Sequence, residues 1–353
     1  MMVKSISISI SENINNPCKD YIINDSLLQY IINVVSSEYQ YINFVWICTS
    51  EYNRIPFLKR VKLYQRRIAK IRKITIHNTI RMLNALPDKS LKKFCQKNNF
   101  KLESEFDDAE MLINVLSNSD EKHKVNIISV QNTRNADLIK VYTLAKEYCF
   151  NLRFKQNFIY SAQFNDTEVE EYLLDLKRIF DYWLKDKNGI FVKPFIDHIR
   201  NIYNIAIEKE CINSSCLGKT LNIDSNGKIY LCAQAQNGEY ALGDFKNYSS
   251  VSEIFQSVTF ADLIEKMIQT RKSCIEKCSY FNFCQGGCCF CVSSYGVSKE
   301  YCKITKELNE YISNSIQGII ASNKSLEEFN PALASIVKEI ISYNPAALAN
   351  QGG

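Results

Sequence analysis

Ten of the fourteen cysteines in this chain lie between Cys211 and Cys302, and eight of them set the terms for what that stretch folds around. Cys211 is followed after four residues by Cys216 and after fifteen more by Cys232. A long gap leads to Cys274, then three residues to Cys278, five to Cys284, three to Cys288, and finally Cys302. Cysteines used as small apolar filler would be spread along the chain, whereas these are gathered into two sets of four, the donor number of a tetrathiolate site. Two iron-sulfur clusters, two zinc sites or a disulfide framework all meet that count. Cys289 and Cys291 are surplus to both sets and read as buried thiols.

The segments between the cysteines fit a metal site. Leu221 to Cys232 reads as two alternating strands around Asn226-Gly227, a turn in which glycine supplies positive φ. This hairpin carries Cys232 back toward Cys216. Gly286-Gly287 stand beside Cys288, where backbone has to pass close to a metal centre without a Cβ in the way. The order Cys216, Gly227, Cys232, Cys274, Cys278, Cys284, Cys288, Cys302, with Cys211 as an eighth ligand, resembles a SPASM domain. That module carries the auxiliary clusters of radical SAM peptide maturases and sulfatase-maturing enzymes. One departure is the three residues between Cys274 and Cys278, where the family has two. The resemblance implies two 4Fe-4S clusters, the first on Cys211, Cys216, Cys232 and Cys288, the second on Cys274, Cys278, Cys284 and Cys302.

With 353 residues and 46% hydrophobic composition, the chain is long enough for about two domains with a substantial core. The opening run Ser5-Ile6-Ser7-Ile8-Ser9-Ile10 alternates, which predicts a strand rather than a signal peptide, and no stretch is long enough to span a membrane. The expected compartment is the reducing cytoplasm. Strands are predicted at Val3 to Ile10, Tyr41 to Cys48, Lys73 to Thr79, Phe100 to Phe106, Lys124 to Val130 and Leu152 to Phe158, each followed by a helical pattern. Six such βα units imply a parallel sheet. The radical SAM resemblance implies that they form a partial (β/α)6 barrel.

The loop after the first strand is where radical SAM enzymes carry CxxxCxxC. Here Ile14 and Tyr21 stand at the first and third cysteine positions and only Cys18 remains. The family's Gly-Gly-Glu segment after the second strand is represented by Thr49-Ser50-Glu51, and no glycine precedes Gly189. Cys18 and Glu51 are thus remnants of a degenerate SAM site. SAM binding is not expected, because one thiolate cannot hold a cubane.

The fold class read from the sequence is α/β: a degenerate radical-SAM-like partial barrel over residues 1–188, a linker helix over 189–210, a SPASM domain over 211–305, and C-terminal helices with a flexible tail over 306–353. Arg54 to Lys73 is a basic stretch without an acidic residue, with Leu58, Val61, Gln65, Ile68 and Ile71 on one helical face. It reads as a barrel helix with a solvated basic side, or as a patch for an acidic peptide or protein. A net charge of +5 without a stacking-aromatic motif gives no reason to expect nucleic acid. His77, His123 and His198 are too scattered for a metal site and are expected to be structural or at the surface.

The family resemblance implies an accessory component of a ribosomal peptide modification system that binds a precursor peptide or a catalytic maturase, or relays electrons. The alternatives are an active radical SAM peptide maturase or sulfatase-maturase-like enzyme with an atypical SAM cluster, and a zinc-binding scaffold.

Overall fold

The computed structural model describes residues 5–11, 23–48, 55–118, 125–161, 164–203, 216–232, 240–322 and 325–343. The chain divides into two compact units, one of residues 1–104 with 216–269, the other of residues 105–215 with 270–353. All six predicted βα repeats are present, and the fold is α/β with a largely parallel arrangement of strands.

In the first unit, β1 (Ser5–Ser11) buries Ile6, Ile8 and Ile10 and turns its serines the other way, as its alternation requires. It pairs in parallel with β2 (Tyr41–Cys48), which pairs in parallel with β3 (Thr75–Leu83). β2 is buried along nearly its whole length, the near-continuous apolar pattern of a parallel strand covered on both faces. Helix α1 (Asp25–Glu38) is capped by the Asn24 side chain, which accepts from the Leu27 N–H at 2.8 Å. Helix α2 (Ile55–Arg72) is the predicted basic helix, followed by α3 (Lys89–Asn98) and β4 (Phe100–Asp108), the strand in which the chain leaves this unit.

The α2 stripe is shorter than predicted. Phe57, Leu58, Val61 and Gln65 are buried, while Ile71 is 79% exposed. At about 100° per residue, position 71 lies roughly 100° round the helix from the buried face. Gln65 is no flaw in that face, because it exchanges two hydrogen bonds with the buried Asn78 at 2.9 and 2.8 Å, and Asn78 also accepts from Trp46 Nε1 at 2.8 Å.

The predicted hairpin is β8 (Thr220–Asp224) and β9 (Lys228–Tyr230), antiparallel around Gly227 at φ 92°. β8 also pairs in parallel along β1, and β9 continues to β10 (Ala241–Asp244). The strand order in this unit is therefore β10-β9-β8-β1-β2-β3, and α8 (Val251–Gln256) and α9 (Val258–Thr270) follow β10 in the chain. Gly227 serves the packing as well as the turn, since a Cβ there would lie 3.0 Å from Leu27 Cδ2 on α1.

In the second unit, β5 (Ile127–Asn132), β6 (Asn151–Phe154) and β7 (Val192–Lys193) run in parallel, with α4 (Ala109–Ser117), α5 (Leu138–Glu147) and α6 (Asp166–Lys185) between strands. α6 begins with a capping box in which Asn165 and Glu168 satisfy each other's backbone N–H at 2.9 Å each. β6 is shorter than predicted: it stops at Phe154, and Asn157–Tyr160 form a 3₁₀ turn. Of the linker helix predicted over 189–210, the described part begins at Phe195 as α7 (Phe195–Ile202), because Val192-Lys193 are taken up as β7 beside β6. α10 (Lys272–Lys277), α11 (Phe281–Cys284), α12 (Cys289–Tyr295), α13 (Lys299–Ala321) and α14 (Pro331–Tyr343) complete the unit. Among the described residues, no helix is long and apolar enough to cross a membrane.

Candidate metal centre

Four of the predicted ligands meet inside the second unit. Cys274 lies on α10 and Cys278 at its C-terminal end, with the Cys278 N–H bonded to the Cys274 carbonyl at 3.2 Å. Cys284 ends α11, and Cys302 sits in the first turn of α13, its N–H held by the Ser298 carbonyl at 3.1 Å. All four line one cavity of about 90 Å³, closed by Tyr160, Tyr280, Val292, Tyr301 and Thr305. A single water needs about 10–15 Å³ on the same measure, so this space exceeds what one ion fills.

The loop that shapes the cavity is unusual backbone. Gln285, Gly286 and Gly287 are successively left-handed at φ 49°, 77° and 81°. The turn aims the Gly286 N–H at Cys284 Sγ, 3.4 Å away, and the buried Arg271 donates to the Gln285 carbonyl at 3.1 Å. Neither glycine has room for a side chain. A Cβ at 286 would lie 3.0 Å from Arg271 Cδ, and one at 287 would lie 1.9 Å from the Tyr160 hydroxyl. The paired glycines beside a ligand are therefore required both by conformation and by close approach.

The thiols load one another. Burial pushes the Cys302 thiol up to about 11, with the nearby sulfurs of Cys274, Cys284 and Cys278 adding to the effect. Burial likewise raises Cys284, opposed by the Gly286 N–H and reinforced by Cys278 and Cys274. Four thiolates gathered here without a cation would repel strongly; the positive charge of a metal core relieves that repulsion, and a coordinating thiol therefore gives up its proton.

The donor set also bears on which metal fits. Tetrahedral zinc at about 2.3 Å from each sulfur would draw the four sulfurs to about 3.8 Å of one another. Among the described residues, no group of three or more His, Cys, Asp or Glu side chains is placed to hold a single metal ion. Four thiols that line a cavity of about 90 Å³ leave room for a polynuclear core.

The other predicted set is seen only in pieces. Cys216 precedes β8 and accepts the Lys219 and Thr220 N–H groups at 3.0 and 3.1 Å, while Cys232 follows β9, so both stand at the open end of the hairpin in the first unit. Cys288 is buried in the second unit as the residue before α12. Cys211 lies outside the described residues, as do Cys18, Ile14, Tyr21 and Glu51, the positions predicted to form a degenerate SAM site. Cys289 and Cys291 are buried on α12, as expected. His77 is exposed, His198 is buried on α7, and His123 is outside the described residues. Sequence reasoning missed the hydroxyl-bearing wall of Tyr160, Tyr301 and Thr305. The one signal was Tyr301 standing next to a predicted ligand.

With this geometry established, comparison with known proteins places it. The profile of the SPASM iron-sulfur cluster-binding domain matches residues 211–288. Among solved structures, native anSMEcpe with bound AdoMet aligns with a TM-score of 0.69 at 20% identity, over 90% of this chain and 100% of that one. The same protein with AdoMet and the Cp18Cys peptide gives 0.69 and 20%, over 90% and 99%. Streptococcus suis SuiB bound to precursor peptide SuiA is a looser match, with a TM-score of 0.49 at 11% identity over 84% and 75%, and carries no weight here. No curated protein matches the sequence. Residues 211–288 thus match an iron-sulfur cluster-binding domain of SPASM type, within a chain that shares the fold of anSMEcpe.

Proposed function

We propose that this chain holds two 4Fe-4S clusters on its SPASM-type cysteines and has given up SAM chemistry. In this reading it is an accessory component of a peptide modification system that binds the precursor peptide or the catalytic maturase. The carrying observation is the single cavity lined by Cys274, Cys278, Cys284 and Cys302, wider than one ion requires. Cys211, Cys216, Cys232 and Cys288 would hold the other cluster. Loss of SAM chemistry is read from Ile14 and Tyr21, which stand where two of three cluster thiolates are needed, so that Cys18 and Glu51 are left without a cofactor to hold. The peptide reading is supported by a structure of the same fold that was solved with a peptide.

Retaining clusters without radical chemistry has a physical rationale. A structural thiolate-metal site can contribute about 10–16 kcal/mol, as much as the whole stability of a domain, about 5–15 kcal/mol. The cluster on Cys274, Cys278, Cys284 and Cys302 is then what the second unit folds around, and a redox role is additional to that.

The test is anaerobic purification with iron, sulfide and zinc assays. The full chain is expected to contain iron and acid-labile sulfide near the about eight irons of two cubanes, and Cys278→Ser to lose about half. Zinc in place of iron would overturn the cluster reading. Incubation with SAM and a strong reductant is expected to yield no 5′-deoxyadenosine. Its formation would establish the active-enzyme alternative instead.

A further inference from the structure

The cavity wall carries hydroxyls as well as sulfur. Tyr160 ends the 3₁₀ turn after β6, and Tyr301 and Thr305 lie one turn apart on α13. Tyr160 is 8% exposed and Thr305 3%. Tyr301 approaches both hydroxyls, yet neither the Tyr160 nor the Thr305 oxygen closes a hydrogen bond of proper geometry among the described residues. Leaving a buried hydroxyl without a partner is destabilising. Thr305 has a fallback in its own helix, the carbonyl four residues back. Tyr160 has none.

The Tyr160 hydroxyl is also fixed in place. Its ring packs on Tyr301 with centroids 4.6 Å apart and planes tilted 30°. Its oxygen occupies the space that a Cβ at position 287 would need. It therefore sits against the left-handed loop between Cys284 and Cys288. It lines the same cavity as the thiols of Cys274, Cys278, Cys284 and Cys302. A phenol hydroxyl is a donor, and the acceptors that face it are the Tyr301 oxygen and the sulfurs of that cavity.

We propose that the Tyr160 hydroxyl donates a hydrogen bond to a sulfur of the cluster held by Cys274, Cys278, Cys284 and Cys302, and thereby raises that cluster's reduction potential. This rests on the cluster reading above. Hydrogen bonds to cluster sulfurs are among the factors that set potential. Reduction adds negative charge to the sulfurs, so an O–H donor holds the reduced state more strongly than the oxidised one.

Tyr160→Phe keeps the ring on Tyr301 and removes only the oxygen. In the anaerobically purified full chain, the cluster whose signal is lost in Cys278→Ser is followed by potentiometric titration. Tyr160→Phe is expected to lower its reduction equilibrium constant about tenfold, a fall of about 59 mV for one electron. As a second measurement, exchange into D₂O is expected to shift iron-sulfur vibrational bands in the unmodified chain, and that shift is expected to shrink in Tyr160→Phe. Equal potentials at equal iron and sulfide loading would overturn the inference. If the variant fails to load, absence of a D₂O shift in the unmodified chain overturns it. A chain without iron and sulfide would instead overturn the function proposed above, which keeps the two failures apart.

Discussion

His198 shows what burial does to a single ionisable side chain. It lies 3% exposed on α7, and burial lowers its pKa from 6.5 to about 4, with the neighbouring Asn309 side chain opposing part of that shift. The folded state therefore carries it neutral, while the unfolded chain takes up a proton below about pH 6.5. Stability from this residue is complete above pH 6.5 and is lost as pH falls toward 4, by of the order of 3 kcal/mol. Denaturant titrations at pH 7 and pH 4.5 are expected to show a smaller acid loss in His198→Gln than in the unmodified chain, and equal losses would refute the assignment. That a histidine is present was legible in the sequence, but its burial was not. Gln65 teaches the same lesson: it breaks an apolar stripe on paper and becomes a satisfied member of the Trp46, Asn78 and Gln65 network only when α2 and β3 meet.

At the scale of elements, α2 separates what helical period can and cannot reveal. Periodicity found the helix and most of its buried face, yet its charged side offers no packing partner to reveal its use. Lys59, Arg60, Arg66, Arg67 and Lys70 are exposed, and Leu63 and Ile71 are exposed beside them at 50% and 79%. Such a surface suits an acidic peptide. Replacing Arg66, Arg67 and Lys70 by Glu is expected to change stability by no more than about 0.5 kcal/mol each and to abolish salt-sensitive binding of an acidic peptide, measured by fluorescence polarisation. Unchanged binding would assign the face to solvent alone. The β8–β9 hairpin was equally legible from its alternation and Asn-Gly turn. Its pairing with β1 was not, because a strand's alternation specifies its faces but not its neighbour.

For the molecule as a whole, the proposed loss of SAM chemistry turns on Ile14 and Tyr21, which stand where a cluster loop would carry thiols. If the loop after β1 still has the geometry of a cluster loop, then Ile14→Cys with Tyr21→Cys is expected to add about four irons per chain, measured by metal analysis after anaerobic reconstitution. No gain would show that the loop has diverged beyond its ligands. The double variant leaves the second unit untouched, so the cluster proposed on Cys278 and its partners serves as an internal reference.

By itself the sequence determined the element order, the α/β class and the identity of the thiols, because period, turn chemistry and ligand spacing are written in neighbouring residues. Only the tertiary structure decided that Cys274, Cys278, Cys284 and Cys302 share a cavity with Tyr160, a residue on a distant turn. It also decided that Gly287 leaves room for that residue's hydroxyl. Contacts between segments far apart in the chain depend on how helices and strands pack, and local pattern carries no record of that.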